Sequence, residues 1–222
     1  MSSSTVSKKS YGVDVASYQA ITVNYTGAKF AFVKLTESTN YVNPKAEAQI
    51  KSAKAHGLMV MGYFYANHSA SVSKAKAEAK YAVSKAKAYG IPAGSYLADD
   101  WEQGSGNSVN GGTSANTDAV IAAMQVIKEA GYKPLIYSGA YNFRNHLSVA
   151  RIVKSFGSCL WVASYKVSGR QDYADFGYFP SMDGVAIWQF TDNYRGLGVD
   201  GNICVVDLKV SSHSSTDKPT NK

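Results

Sequence analysis

The chain has 222 residues, 45% of them hydrophobic, which is enough for one large domain with a substantial core. No apolar run reaches the roughly 18–20 residues of a membrane-spanning helix, so none is predicted. The net charge of +7 suits either an anionic partner, such as nucleic acid, a membrane surface or a bacterial wall polymer, or an ordinary basic protein. The four histidines lack metal-ligand spacing, and Cys159 and Cys204 are too few for a disulfide framework. We therefore expect neither a metal nor another cofactor.

The first third of the chain begins with a polar segment and continues with alternating strands and helices. Residues 1–10 lack the apolar core of a secretory signal peptide, so we expect a flexible N-terminal lead-in. Short apolar strands are predicted over 12–15 and 30–35. A helix over 44–57 has proline at its first position and glycine at its end. The apolar run 58–65 is a predicted buried strand.

The alternation continues through the middle of the chain, in the order helix 72–89, strand 95–101, helix 114–130 and strand 133–137. After residue 147 the helical pattern weakens, so we expect an irregular late part with strands over 160–163 and 185–189. Near-continuous apolar strands separated by helices favour a parallel sheet that is covered on both faces. About seven or eight such strands in some 200 residues fit a single closed α/β barrel over residues 11–210.

Two acidic residues stand at the end of the apolar strand 95–101. Asp100 and Glu102 are two residues apart, so in a strand their side chains point to the same face. Two like charges that are buried together raise the pKa of at least one of them, and a carboxyl group that stays protonated near neutral pH is a general acid. Asp99 would face the opposite side of the strand and is interpreted as a structural residue.

Two further carboxylates are predicted to join this pair. Asp14 ends the first strand, and Asp200 lies in the last segment. In a parallel barrel the functional residues gather at the C-terminal ends of the strands, and closure makes the first and last segments neighbours. The alternatives are a turn or cap role for Asp14 and a turn role for Asp200, which precedes glycine.

Aromatic residues also cluster near the predicted strand ends. Their rings and hydroxyl groups suit sugars, which have an apolar face and a hydroxyl rim, although core packing accounts for any one of them. The candidates for substrate binding are Tyr63, Tyr65, Tyr137, Tyr165 and Trp188.

Several motifs together resemble the glycoside hydrolase family 25 muramidases, which include many bacteriophage endolysins. The resemblance runs from about Tyr11 to Lys209 and depends on the order of its motifs, since each is weak alone. The motifs are Gly12–Gln19, Phe32–Glu37, Asp100-Trp101-Glu102, Leu160–Tyr165 and Ile187–Phe190.

The resemblance implies a single irregular, flattened TIM-like β/α barrel that hydrolyses the β-1,4 bond between N-acetylmuramic acid and N-acetylglucosamine in peptidoglycan. By position, Glu102 would be the general acid, Asp100 and Asp200 would stabilise the reacting sugar, and Asp14 would orient or tune the acid. We hypothesise that the substrate's own N-acetyl group attacks the sugar, with Asp100 or Asp200 stabilising the oxazolinium ion; attack by a carboxylate or by a water molecule is the alternative.

The motif Phe32–Glu37 further implies that Lys34 and Glu37 contact the substrate. The family often has a histidine where this chain has Tyr65, which can hydrogen-bond a sugar but cannot supply an imidazole.

The implied partner is bacterial peptidoglycan, with no nucleic acid and no membrane, and the expected state is a monomer. A phage lysin would be made in the host cytoplasm without a signal peptide and act on the wall after release; an extracellular enzyme is the other possibility. Residues 211–222 have the composition of a linker, which predicts a further C-terminal wall-binding domain, with a frayed terminus as the alternative.

Two other classes of protein compete with this hypothesis. A non-catalytic wall-glycan-binding module would keep the aromatic residues without needing Asp100 and Glu102 together. A phosphate-binding α/β enzyme would use the glycine-rich segment Gly104–Gly112, but that segment lacks the third fingerprint glycine and a Gly-Lys-Ser/Thr ending.

Overall fold

The computed structural model describes residues 3–211. The strands in chain order are β1 (Ser3–Val6), β2 (Tyr11–Val15), β3 (Ala28–Glu37), β4 (Tyr41–Val42), β5 (Met59–Tyr65), β6 (Tyr96–Asp100), β7 (Lys133–Gly139), β8 (Leu160–Ala163), β9 (Arg170–Gln171), β10 (Val185–Thr191), β11 (Asn193–Tyr194), β12 (Asp200–Cys204) and β13 (Leu208–Ser211). The α-helices are α1 (Ala46–Ala55), α2 (Val72–Ala88), α3 (Thr113–Glu129), α4 (Ala140–Asn145) and α5 (Val149–Phe156), and a short 3-10 helix spans Phe176–Tyr178.

Eight of these strands close into a barrel, which confirms the predicted fold class. Their order around the barrel is β2, β3, β5, β6, β7, β8, β10 and β12, with β12 returning to pair with β2. Neighbouring strands are parallel except at β12, which runs antiparallel to both β10 and β2. The first and last strands of the barrel are therefore neighbours.

The barrel has an aromatic interior and an outer layer of helices. Inside, the ring of Phe32 stacks on Trp161 at 4.1 Å between centroids, and Phe30 lies edge-on to Phe32. Phe30 fits because Gly12 faces it, and a Cβ at Gly12 would overlap the Phe30 ring. Outside, α2 packs through small buried side chains that recur at helical spacing and allow close approach to the sheet, namely Ala75, Ala79, Ala82 and Ala86.

The late part of the chain is irregular, as the weakening helical pattern predicts. Between β8 and β10 the connection contains β9 and the 3-10 helix instead of an α-helix. The rings of Phe176 and Phe179 cover the outer face of β10 by packing edge-on against Trp188. Within residues 3–211, no helix has the length and hydropathy to cross a membrane.

The N-terminal segment differs from the expected flexible lead-in over residues 1–10. Residues 3–6 form β1, which pairs antiparallel with β13, and this ribbon lies across the N-terminal end of the barrel. Leu208 and Val210 of the ribbon are buried with Met59 and Tyr96, which begin their strands. Sequence reasoning missed the strand because its partner lies some 200 residues away. The linker predicted over 211–222 lies outside the described residues, apart from Ser211 at the end of β13.

The ribbon gives the first testable prediction. Leu208 is fully buried, so Leu208→Ala leaves a cavity and should lower the free energy of unfolding by about 2–5 kcal/mol. Urea unfolding followed by circular dichroism measures this, with Val167→Ala, at a half-exposed position, as the control that should change stability by less than about 0.5 kcal/mol. Equal stability of Leu208→Ala and the control would show that the ribbon does not seal the barrel.

Candidate active site

The four predicted carboxylates meet at one end of the barrel. They line a cavity of about 400 Å³ at the C-terminal ends of the parallel strands. Trp161, stacked on Phe32, belongs to the floor of this cavity. Its lining residues are Asp14, Ala16, Tyr18, Gln19, Lys34, Tyr63, Tyr65, Asp100, Glu102, Tyr137, Trp161, Gln189 and Asp200.

Asp14 and Asp200 lie opposite each other across paired strands. Because β12 runs antiparallel, Asp200 at its start reaches the edge where Asp14 stands near the end of β2. One oxygen of Asp14, Oδ2, accepts hydrogen bonds from Gln189 Nε2 at 2.9 Å and Asn202 Nδ2 at 2.7 Å. Burial, and then the charge of Asp14, raises the pKa of Asp200 to about 9. Burial raises the pKa of Asp14 as well, and its hydrogen bonds oppose that shift. A raised pKa favours the protonated form of Asp200, which is hydrogen-bonded to Asp14, and Gln189 Nε2 also donates to Asp200 Oδ2 at 3.5 Å.

Asp100 and Glu102 occupy the opposite wall. The Trp101 N–H donates to Tyr137 O at 3.0 Å, so pairing with β7 continues one residue beyond the last residue of β6. Asp100 is 6% exposed, and its buried Oδ1 has no hydrogen-bond partner among the described residues. Burial, followed by the charge of Glu102, raises the pKa of Asp100 well above its usual value. Burial and then Asp14 raise the pKa of Glu102, which Lys34 opposes.

A buried polar network on the outer side of β6 supports the backbone around Asp100 and Glu102. Asp99 points to the outer face, as expected, and its carboxylate lies 3.1 Å from His68 Nε2. Desolvation lowers the pKa of His68, but the charge and hydrogen bond of Asp99 outweigh it, so the net shift is upward. Asn107 accepts from the Ser69 N–H and donates to the main-chain oxygen of Glu102, each at 2.7 Å. The backbone on both sides of the carboxyl pair is thereby fixed.

Gln189 connects the aromatic wall to Asp14 and was missed by sequence reasoning. Its Oε1 accepts hydrogen bonds from the hydroxyl groups of Tyr137 and Tyr165, which leaves its Nε2 to donate to Asp14. The available signal was the amide side chain of Gln189 among the otherwise apolar residues 185–190 of β10.

A smaller cavity adjoins the first. It measures about 250 Å³. Its lining residues are Glu102, Tyr137, Gly139, Ala163, Ser164 and Tyr165. Glu102 and Tyr137 line both cavities. In a chain of sugar rings that filled the two cavities, the Glu102 carboxyl would lie beside the bond that joins a ring in one cavity to a ring in the other.

Most of the predicted substrate-binding residues line one of the two cavities. Lys34, Tyr63, Tyr65 and Tyr137 line the larger cavity, and Tyr165 lines the smaller one. Glu37 lines neither but lies 2.8 Å from Lys34 Nζ, which it orients.

Trp188 is wrongly placed in the substrate-binding set. It is 1% exposed on the outer face of β10, where its indole N–H donates to Ser164 O at 2.8 Å. The reason is the two-residue period of a strand: Gln189 points into the barrel, so Trp188 must point out. Trp161 is the tryptophan that faces the cavity.

A closed β/α barrel whose mouth gathers carboxyl groups of raised pKa beside tyrosine-lined cavities defines a glycoside hydrolase. The model of the glycosyl hydrolases family 25 matches residues 13–199, and the chain belongs to this family.

Relatives extend this assignment. The chain is 42% identical over 179 residues to a lysozyme of Lactococcus phage mv1, covering 79% of this chain and 89% of that protein. A pneumococcal cell wall endolysin from phage Cp-1, complexed with choline, has a TM-score of 0.77 at 29% identity and is matched over 97% of this chain. The Cpl-1 endolysin complexed with a peptidoglycan analogue has a TM-score of 0.76 at 29% identity over 96% of this chain. The chain spans 58% of the length of each of these endolysin chains.

The hydrogen bond from Asn107 to the Glu102 main-chain oxygen gives the second prediction. Asn107→Ala removes the donor to the Glu102 carbonyl, whereas Asn116→Ala removes a donor to Val109 O, elsewhere in the same loop. Both residues are buried, so both variants should lose about 1–3 kcal/mol of stability. Only Asn107→Ala should also lower kcat for bond hydrolysis in purified bacterial walls, by about tenfold or more, because Glu102 shifts. Equal kcat losses, with both variants folded, would refute a positioning role for Asn107.

Asp200 gives the third prediction. Its pKa is about 9 in the folded protein, above the roughly 3.9 of an unfolded chain, so between these values unfolding releases a proton. Rising pH therefore destabilises the fold through this group. Asp200→Asn, which can still donate to Asp14, should be more stable than the wild type at pH 7, by a margin that grows from pH 5 to pH 8. Urea unfolding across this range measures the margin; a margin that does not change with pH would contradict the assignment.

Proposed function

We propose that this chain is a lysozyme that hydrolyses the β-1,4 bond between N-acetylmuramic acid and N-acetylglucosamine in bacterial peptidoglycan, in the manner of a phage endolysin. The observation that carries the proposal is the position of Glu102, a carboxyl of raised pKa at the boundary of two adjoining cavities. Family membership and relatives named as lysozymes support it. A peptidoglycan analogue bound to one structural neighbour supports the choice of polymer.

Glu102 acts as the general acid. Burial keeps a proton on its carboxyl to higher pH than usual, and its place between the cavities puts that proton beside the oxygen that joins two rings. Asn107 holds the Glu102 backbone, so the carboxyl meets the bond in a fixed orientation. Activity should fall as pH rises through the pKa of Glu102, because the acid is then ionised.

The Asp14 carboxyl stabilises positive charge that develops on the sugar as the bond breaks. It accepts from Gln189 and Asn202 and is hydrogen-bonded to Asp200, and these hydrogen bonds favour its ionised form against the effect of burial. Asp100, whose pKa is raised well above its usual value by burial, has hydrogen-bonding capacity left for the substrate at Oδ1, which has no partner within residues 3–211. Neighbouring like charges keep protons on some members of the cluster and leave others ionised.

The sugar rings contact tyrosines and Lys34. Tyr63 and Tyr137 approach the Trp161 ring edge-on at 5.9 and 4.7 Å, which gives the mouth an apolar aromatic surface with hydroxyl groups. Lys34 lies over the ring of Tyr65 at 4.8 Å and supplies the ammonium at this cavity.

We propose that the protein works as a monomer on the cell wall, with neither nucleic acid nor membrane as partner, and that a wall-binding domain follows residues 211–222.

A non-catalytic wall-binding module is not favoured. A module that only binds sugar does not need four carboxyls buried together, because their desolvation weakens the fold. The lysozyme relatives and the family match favour an enzyme.

The fourth prediction tests the acid. Glu102→Gln keeps the shape of the side chain but has no proton to give, so it should lower kcat on purified Gram-positive walls by at least about a hundredfold. New muramic acid reducing ends are the readout. Asp118→Asn, an exposed residue paired with Arg151, should keep wild-type activity. Wild-type protein that binds walls but releases no reducing ends would favour the binding module instead.

A further inference from the structure

A third cavity lies on the same edge of the barrel as the catalytic mouth. It measures about 350 Å³ and sits where β3, β5 and β6 end, beside the first turns of α2. None of the proposed catalytic residues lines it. Its lining residues are Ser38, Thr39, Asn67, Lys74, Ala77, Glu78 and Gly106.

Two opposite charges face this cavity from one side of α2. Glu78 is 2% exposed, and its Oε2 accepts the Asn67 N–H at 2.9 Å. Lys74, one helical turn earlier, is exposed. Among the ion pairs within residues 3–211, none joins Lys74 to Glu78 within 4 Å, so both side chains line the cavity without a direct ion pair between them. Burial raises the pKa of Glu78, which the Asn67 N–H and the charges of His68 and Lys74 oppose.

The cavity is a direct neighbour of the catalytic mouth. Tyr65 lines the mouth, and its main-chain oxygen accepts from the N–H of Ser38, which lines the third cavity. Gly104 approaches the Tyr65 hydroxyl so closely that a Cβ there would overlap it, and a Cβ at Gly106 would lie 2.7 Å from Asn67 Oδ1. Tyr65 and the loop that contains Gly104 and Gly106 are therefore next to both cavities.

We propose that this third cavity binds the peptide branch of the same peptidoglycan strand that the catalytic mouth cuts; this inference rests on the proposed lysozyme function. Peptidoglycan carries short peptides on alternate sugars, and a glycan lying in the mouth must direct such a branch to one side. A peptide with free carboxylates and a diamino acid ammonium matches a cavity with an ammonium at its rim and a carboxyl at its base.

Lys74 is the residue through which to test this, because it is exposed and outside the catalytic machinery. Lys74→Glu reverses the rim charge, and Lys76→Glu, also exposed on α2 but not lining the cavity, makes the same change in net charge. The two substrates are purified walls that carry peptides and the same glycan stripped of peptides by an amidase. Released reducing ends give kcat/KM for each protein and substrate.

Lys74→Glu should lower kcat/KM on the peptide-bearing walls by about tenfold and leave it within about twofold on the stripped glycan. Lys76→Glu should leave the ratio between the substrates unchanged. Equal losses on both substrates, the same loss in Lys76→Glu, or no loss at all would overturn the peptide site. Wild-type protein that releases no reducing ends from either substrate would instead refute the lysozyme function.

Discussion

The rest of the structure depends on one constraint: four carboxyl groups share a buried mouth in which Lys34 is the lining ammonium. Four full negative charges could not stay there, so the site combines retained protons with neutral donors. The raised pKa of Asp200 favours a proton on that carboxyl, which is hydrogen-bonded to Asp14, and the amides of Gln189 and Asn202 donate to Asp14 without adding charge. The raised pKa values that make acid catalysis possible also weaken the fold as pH rises, so stability must come from elsewhere.

Aromatic packing inside the barrel both supplies that stability and orients the polar groups above it. The Trp161 indole N–H donates to Asn202 Oδ1 at 2.7 Å, which turns the Asn202 amide nitrogen toward Asp14. The same ring stacks on Phe32, whose neighbour Phe30 fills the space left by Gly12. The hydrophobic interior and the carboxyl cluster are thus one continuous arrangement, and a change of side-chain volume in the interior would be transmitted to the catalytic groups.

The barrel and the meeting of the carboxylates were predictable because both follow from strand order and from where each strand ends. Two kinds of residue could not be placed from the sequence: adjacent strand residues of which one must face inward, and residues whose strand partner is distant in the chain. Trp188 and Gln189 are adjacent in an apolar run, and nothing local says which one faces inward; only the register with β8 and β12 decides it. Residues 3–6 look like a polar tail until their pairing with β13 is known. The cavity beside Lys74 is formed by three loops and a helix, so no local sequence pattern predicts it.

The antiparallel strand β12 has a consequence for how the molecule is made. The hydrogen bond from Asn202 to Asp14 joins residues 188 apart, and the β1–β13 ribbon is similarly non-local. During synthesis, a ribosome-bound chain that still lacks β12 has an open sheet and an Asp14 without its acidic neighbour. High contact order of this kind slows folding, and it makes barrel closure the step that assembles the active centre. A product that ends before β12 would accordingly be inactive, so hydrolytic activity requires synthesis of the chain at least through β12.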